Sequence, residues 1–265
     1  MKRHVVLTSG RSGSNHLVAA INQHPSLCNF GEVLGPWTLP ARLWSPARWL
    51  GASRARLLET VYSSGAVYYA AQSLSFASRK LGRQATHFRR RQGLSSLGVK
   101  EFFIHLRDPE VLGWFEACEE LSIIHLKRED LLARALSVHR LNSNGRAVTR
   151  AGEGRGGSLS VDPAELLKTL DTLKEEGEEE DRILERLSHH RSLSLVYERD
   201  LAGGDAAAQT LAQVHEFLEV EPHRLMDTGH RSAVSGRPIE AVENRDEVEA
   251  ALRGSQHAEL LSQSG

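Results

Sequence analysis

Eight consecutive residues near the amino terminus, Ser9-Gly10-Arg11-Ser12-Gly13-Ser14-Asn15-His16, place two glycines, three serines and an arginine between an apolar run and a helical pattern. Where a strand hands over to a helix through such a loop, backbone N–H groups and the helix dipole converge and cradle an anion, most commonly a phosphate. Arg11 adds a permanent guanidinium able to grip two oxygens of a phosphate or sulfate through parallel hydrogen bonds. The loop is not a Walker A sequence, because that motif needs a lysine and none stands between Arg3 and Lys80. It is not a dinucleotide fingerprint either: Gly10 and Gly13 are three apart with no third glycine in register. Taken alone, the segment is also compatible with an ordinary small-residue turn carrying a surface arginine.

A second constellation lies in Leu126-Lys127-Arg128-Glu129-Asp130 and the residues that follow. A basic residue leaves a buried strand, and Ser137 follows nine positions later on a helix, so Arg128 and Ser137 can converge on a second phosphate. The competing reading is a strand-end arginine and a helical serine bonded to its own backbone. Glu32 follows the first helix, where a returning chain faces the loop, and is the candidate general base; a salt-bridged surface glutamate is its alternative. His16 and His24 flank the first helix and are weaker rivals, with His24 before Pro25 read as a helix stop. His105 and His139 are weaker still. Lys100 either points toward the site or is solvated.

The elements that must position these groups follow from periodicity. Val5, Val6 and Leu7 form a short buried strand, and Leu17, Val18 and Ile21 make one helical face ending at His24-Pro25. Gly98 to Leu106 reads as a strand or short helix, and Leu121 to Leu126 as a buried strand feeding a helix through Leu131, Leu132, Ala135 and Leu136. Asp162, Pro163 and Glu165 mark a capped helix start, continued by Leu166, Leu167, Leu170 and Leu173. Leu193 to Tyr197 is a further strand, with Leu211, Val214, Phe217 and Leu218 on the helix after it. This alternation predicts an α/β fold with a P-loop-like central parallel sheet and helices on both faces. The acidic run Glu175 to Asp181 reads as the solvated part of a helix pair.

Composition excludes more than it selects. With 265 residues, 40% of them apolar, the chain can bury a real core, and a disordered tail protein is ruled out. Thirty-three Lys and Arg against thirty-four Asp and Glu give a formal net charge of -1, which advertises no nucleic-acid partner. Cys28 and Cys118 are read as reduced, buried thiols rather than a disulfide or a zinc site. No run of about 18 apolar residues and no signal-peptide pattern are visible, so a cytoplasmic protein is expected.

Together these segments resemble the sulfotransferases that use 3′-phosphoadenosine 5′-phosphosulfate (PAPS), in particular the bacterial carbohydrate type that includes the Nod-factor enzymes. The resemblance rests on RSGS at Arg11 to Ser14, Arg128 with Ser137, and HPSLCNFGEVL at His24 to Leu34. LVYERDL at Leu195 to Leu201 and the ending AVENRDEVEAAL extend it to both ends of the chain. Arg199 interrupts the family's YEDL pattern, and Asn15-His16 follows the loop where Thr or Ser with an apolar residue is commoner.

The resemblance implies that Arg11, Ser12, Gly13, Ser14 and Asn15 hold the 5′-phosphosulfate, with Arg11 also stabilising the leaving group. It implies Arg128 and Ser137 for the 3′-phosphate, Glu32 as base and no metal. Arg231 and Arg237 are expected to close over the donor as a lid. The acceptor implied is a hydroxyl on a carbohydrate, glycolipid or other small molecule. An ATP-dependent phosphotransferase and a non-catalytic nucleotide-binding protein are the alternatives.

One domain over 1–265 is expected, with a mainly helical insertion at about 36–97 that fits the family pattern least. Between Ala41 and Gly93 ten Lys and Arg residues face a single acid, Glu59, with Trp37, Trp44, Trp49, Tyr62, Tyr68 and Tyr69 interleaved. Such a surface suits sugar stacking, an anionic glycan or peripheral contact with a lipid headgroup, and equally a solvated amphipathic cap. No recognised nucleic-acid module accompanies it.

Overall fold

The computed structural model describes residues 1–45, 51–81, 88–144, 159–202, 204–223 and 238–263. The order begins β1 (Lys2–Thr8), α1 (Ser14–Ile21), β2 (Leu27–Asn29), α2 (Leu39–Trp44), α3 (Arg54–Ser63) and α4 (Gly65–Leu81). It continues with β3 (Ser96–Phe102), a 3-10 turn at Phe103–Arg107, α5 (Pro109–Ala117), β4 (Leu121–Lys127), α6 (Leu131–Asn144) and α7 (Pro163–Arg186). β5 (Arg191–Val196), a π-helical turn at Tyr197–Leu201, α8 (Gly204–Phe217), α9 (Arg245–Arg253) and α10 (Leu260–Gln263) complete it.

The five strands form one all-parallel sheet in the order β2-β3-β1-β4-β5. β1 pairs with β3 from Lys2↔Ser96 to Thr8↔Phe102 and with β4 from Arg3↔Leu121 to Thr8↔Leu126. It is therefore central, and the connection from β3 to β4 carries the chain across it. The crevice outside the carboxyl end of β1 is the switch point where parallel α/β sheets place their ligands.

Val5 and Leu7 face one side, packing with Leu57, Leu58, Val61, Tyr62 and Tyr68 of α3 and α4 and with Val111 and Phe115 of α5. Val6 faces the other, with Leu17 and Ile21 of α1 and Leu211 and Val214 of α8. A strand buried on both faces reads as a continuous apolar run, which is why Val5-Val6-Leu7 shows no alternation. A third cluster joins α6, α7 and α9 through Leu136, Leu166, Leu170 and Val248. Among the described residues no helix is long and apolar enough to cross a membrane.

Two expectations are corrected. The acidic run does not belong to a helix pair: α7 is one helix of 24 residues, capped at its start by Asp162, whose carboxylate accepts from Ala164 N at 2.8 Å. Nor is the run wholly solvated, since Glu180 is only 3% exposed. The interleaved aromatics also divide. Tyr62 and Tyr68 are core residues, Tyr62 donating its hydroxyl proton to His4 O at 2.7 Å, whereas Trp37 is 63% exposed. Arg48, Trp49 and Arg83 lie outside the described residues, as do Arg231 and Arg237 of the expected lid.

Candidate active site

The loop between β1 and α1 is held by residues far away in sequence. Thr8 Oγ1 donates to Leu126 O at 2.7 Å and also bonds Ser12 Oγ, which commits the Ser12 side chain. Arg11 adopts φ 65° and Gly13 φ 81°, both left-handed. For an arginine that conformation costs about 1–3 kcal/mol and persists only where surroundings impose it. Here they do: Arg128 donates to Arg11 O at 3.0 Å and Arg134 Nε donates to Gly10 O at 2.8 Å. Gly13 begins α1 with no side-chain cap. A Cβ there would lie 2.4 Å from the Tyr197 ring, so only glycine fits.

Arg11 and Ser137 meet, with Arg11 Nε donating to Ser137 Oγ at 2.8 Å across 126 residues of sequence. Arg128 packs over Tyr197 at 5.2 Å, and its Nε lies 3.4 Å from the Glu198 carboxylate without hydrogen-bond geometry. That carboxylate instead accepts the amides of Glu129 and Asp130 at 3.1 and 3.2 Å, fixing the turn from β4 into α6. Burial, and then the charge of Arg128, push the Arg11 guanidinium below its ordinary pKa. Two guanidinium groups that repel one another beside a helix N-terminus are what an anion with several oxygens relieves. Arg128 Nε itself makes no hydrogen bond.

Opposite the loop, Lys100 on β3 is 4% exposed and reaches Asn15 Oδ1 at 3.4 Å and Glu32 Oε2 at 3.5 Å. Glu32 Oε1 is buried without a hydrogen-bond partner. It lies against Gly35, where an added Cβ would be 2.1 Å from Oε1 and 2.7 Å from Trp37 Cε2. The backbone after Glu32 is pinned by Glu101, whose Oε1 accepts from Val33 N and Leu34 N at 2.8 and 3.0 Å while its Oε2 bonds His105 Nδ1 at 2.7 Å. Consecutive residues of β3 thus hold the glutamate by its side chain and the backbone that follows it.

Two of the rival histidines are engaged elsewhere. His24 accepts from Ser26 N at Nδ1 and bonds Glu221 O through Nε2, and burial lowers its pKa. His139 bonds Thr169. Arg199 is exposed and pairs with Asp200, so its intrusion into the strand-end motif disturbs nothing. Asn244, in the carboxyl-terminal motif, bonds Val161 through both N and O.

Glu180 and Arg134 also build the site and, like Glu101, escaped sequence reasoning. Glu180 accepts from Ser9 Oγ at 2.7 Å and bonds His125 Nε2, tying α7 to the loop and to β4. It lies seven residues after Leu173 and three before Ile183, on the helix's apolar stripe, and that spacing was the available signal. Arg134, 5% exposed, bridges Gly10 O and Glu176 Oε2 (2.5 Å). Its clue was its place three residues before Ser137.

The fold and site define a parallel α/β protein with a glycine- and serine-rich loop at its switch point and a glutamate–lysine pair facing that loop. No family model and no curated protein matches the chain. Among solved structures it is similar to a sulfotransferase from Alicyclobacillus acidocaldarius, at 13% identity over 100% of this chain and 97% of that one, with a TM-score of 0.47. It is also similar to the sulfotransferase domain of the Synechococcus PCC 7002 olefin synthase, at 20% identity over 89% and 78% with a TM-score of 0.43. The sulfotransferase domain from the curacin biosynthetic pathway shows 16% identity over 98% and 83%, with a TM-score of 0.43. Likenesses this distant assign no activity to the chain.

Proposed function

We propose that the protein is a sulfotransferase that moves a sulfuryl group from PAPS to a hydroxyl of a carbohydrate or glycolipid acceptor. The observation that carries this reading is the convergence of Arg11, Arg128 and Ser137 on one glycine-serine loop, with the Glu32 carboxylate across from it. The motif resemblance supplies the chemical class, and the missing loop lysine weighs against an ATP-dependent phosphotransferase.

When bound, the donor supplies a sulfuryl group on a phosphate leaving group. The amides of Ser12, Gly13, Ser14 and Asn15 and the Arg11 guanidinium hold the 5′ end, and Arg11 offsets the charge that grows on the leaving oxygen. Arg128 and the Ser137 hydroxyl hold the 3′-phosphate. Glu32 takes the acceptor's proton through its carboxylate. Trp37, exposed and touching the same glycine as Glu32, offers a face on which a sugar ring stacks.

The test is a PAPS-dependent acceptor screen read by mass spectrometry, with Glu32→Gln as control. Transfer by the wild type, reduced at least a hundredfold in Glu32→Gln with binding of the desulfated product PAP retained, is the expected outcome. Full activity of Glu32→Gln on the true acceptor would remove Glu32 as base.

A further inference from the structure

The segment that follows Glu32 is apolar where it meets solvent. Of the eight large apolar side chains exposed among the described residues, four stand here: Trp37, Leu39, Leu43 and Ile104, each half exposed or more. Leu39 and Leu43 lie one turn apart on one side of α2, a helix that buries none of its residues. Trp37 comes just before them, on a turn that the Thr38 hydroxyl closes by donating to Val33 O at 3.0 Å and Gly35 O at 2.8 Å. The Trp37 ring is 6.2 Å from the ring of His105, the residue next to Ile104, and it meets the same glycine as the Glu32 carboxylate. One exposed leucine or tryptophan is ordinary, whereas a patch of them beside a candidate site marks a surface that meets something.

Charge says what that is. From Pro36 to Arg56 the chain carries no aspartate or glutamate. Arg42 and Arg56 are exposed and make no ion pair among the described residues, and Arg54 donates to Leu34 O at 3.1 Å with the Asp108 carboxylate 3.8 Å away. Unpaired guanidinium groups select an anionic partner. Their mixture with leucine and tryptophan suits a bilayer surface, where apolar side chains enter the acyl boundary and arginines reach the headgroup phosphates. Among the described residues no helix can span a membrane, so the contact is peripheral. We propose that the segment from Trp37 to Leu43, together with Ile104, docks the protein on an anionic membrane surface and brings the Glu32 segment to a lipid-borne acceptor hydroxyl. The acceptor half of this rests on the sulfotransferase reading above, whereas docking itself needs neither donor nor turnover.

Vesicle flotation of the full chain reads the docking directly, with vesicles of phosphatidylcholine alone and of phosphatidylcholine containing about 30% phosphatidylglycerol. The wild type should float with the anionic vesicles, bind the neutral ones about tenfold more weakly or worse, and lose affinity severalfold as salt rises from about 0.1 to about 0.5 M. The double variant Leu39→Glu, Leu43→Glu should bind anionic vesicles about tenfold more weakly or worse. Arg42→Glu should weaken binding severalfold and keeps the test decisive if the double variant does not fold. Ser192→Glu, an equal change of charge on the exposed face of β5 at the far edge of the sheet, should leave binding unchanged. No flotation of the wild type with anionic vesicles, binding undiminished by the Leu39 and Leu43 changes, or an equal loss in Ser192→Glu would overturn the proposal. So would a dimer that the Leu39 and Leu43 changes dissociate, in a protein that binds no vesicle. Calorimetric titration with PAP separates the two readings: PAP binding without flotation overturns the docking alone, and flotation without PAP binding upholds the docking and overturns the donor reading.

Discussion

Replacing Gly13 by alanine probes the anion loop at its tightest point. The new methyl group would sit 2.4 Å from Cδ2 and Cε2 of Tyr197, more than 1 Å inside ordinary carbon–carbon contact, on a backbone with φ 81°. The left-handed conformation costs an L-residue about 1–2 kcal/mol, and overpacking against a held ring costs about 1–3 kcal/mol. The sum is roughly 2–5 kcal/mol. Tyr197 cannot withdraw freely, because the Arg128 guanidinium packs over its ring. Urea unfolding at constant m-value measures the loss as a shift in midpoint. Repeating the substitution in a Tyr197→Ala background separates the two contributions: the overlap vanishes and the conformational cost of about 1–2 kcal/mol remains. A Gly13→Ala protein within about 0.5 kcal/mol of wild type, or an equal loss in both backgrounds, would refute the packing argument.

Glu180→Ala should cost about 3 kcal/mol by stranding the buried His125 and the half-buried Ser9, and should weaken PAP binding; its neighbour Glu179, paired with the exposed Arg107, should cost under about 1 kcal/mol when replaced. Equal effects of the two on unfolding midpoint would contradict the buried network. Acid should destabilise the protein before its carboxylates titrate. Burial holds His4 down at about 3 and His215 at about 4, against 6.5 in the unfolded chain. Below 6.5 the unfolded state therefore takes up protons that the native state refuses. Stability is complete above 6.5 and falls by about 1.4 kcal/mol per pH unit for each histidine until its native pKa is reached. Unfolding midpoints should be level from pH 7.5 to about 6.5 and decline from there to pH 4.5, and a profile flat throughout would show these histidines to be accessible.

Much of this was legible in the sequence because the signals were local. The strand–loop–helix at the amino terminus, the Asp162-Pro163 helix start and the later strands each announce themselves within a dozen residues. What escaped depends on pairing across the sheet. β2 has three residues, too few for any period, and exists through its register with β3. Lys100 and Glu101 are adjacent charges in a strand buried on both faces, a conflict that sequence registers but cannot interpret without β1 and the Glu32 segment beside it. Glu180 is hidden by composition: one buried carboxyl within seven nearly all acidic positions looks solvated until its partners 55 and 171 residues away are in place.

The central claim, that the switch-point loop holds the phosphates of PAPS, is tested most directly by thermal unfolding with PAP and with ATP–magnesium. A hundredfold excess of PAP over its Kd should raise the melting temperature by about 5 °C or more, with no such rise in Arg11→Ala and none from ATP–magnesium in the wild type. Stabilisation by ATP–magnesium but not by PAP, or a PAP response that survives Arg11→Ala undiminished, would contradict it.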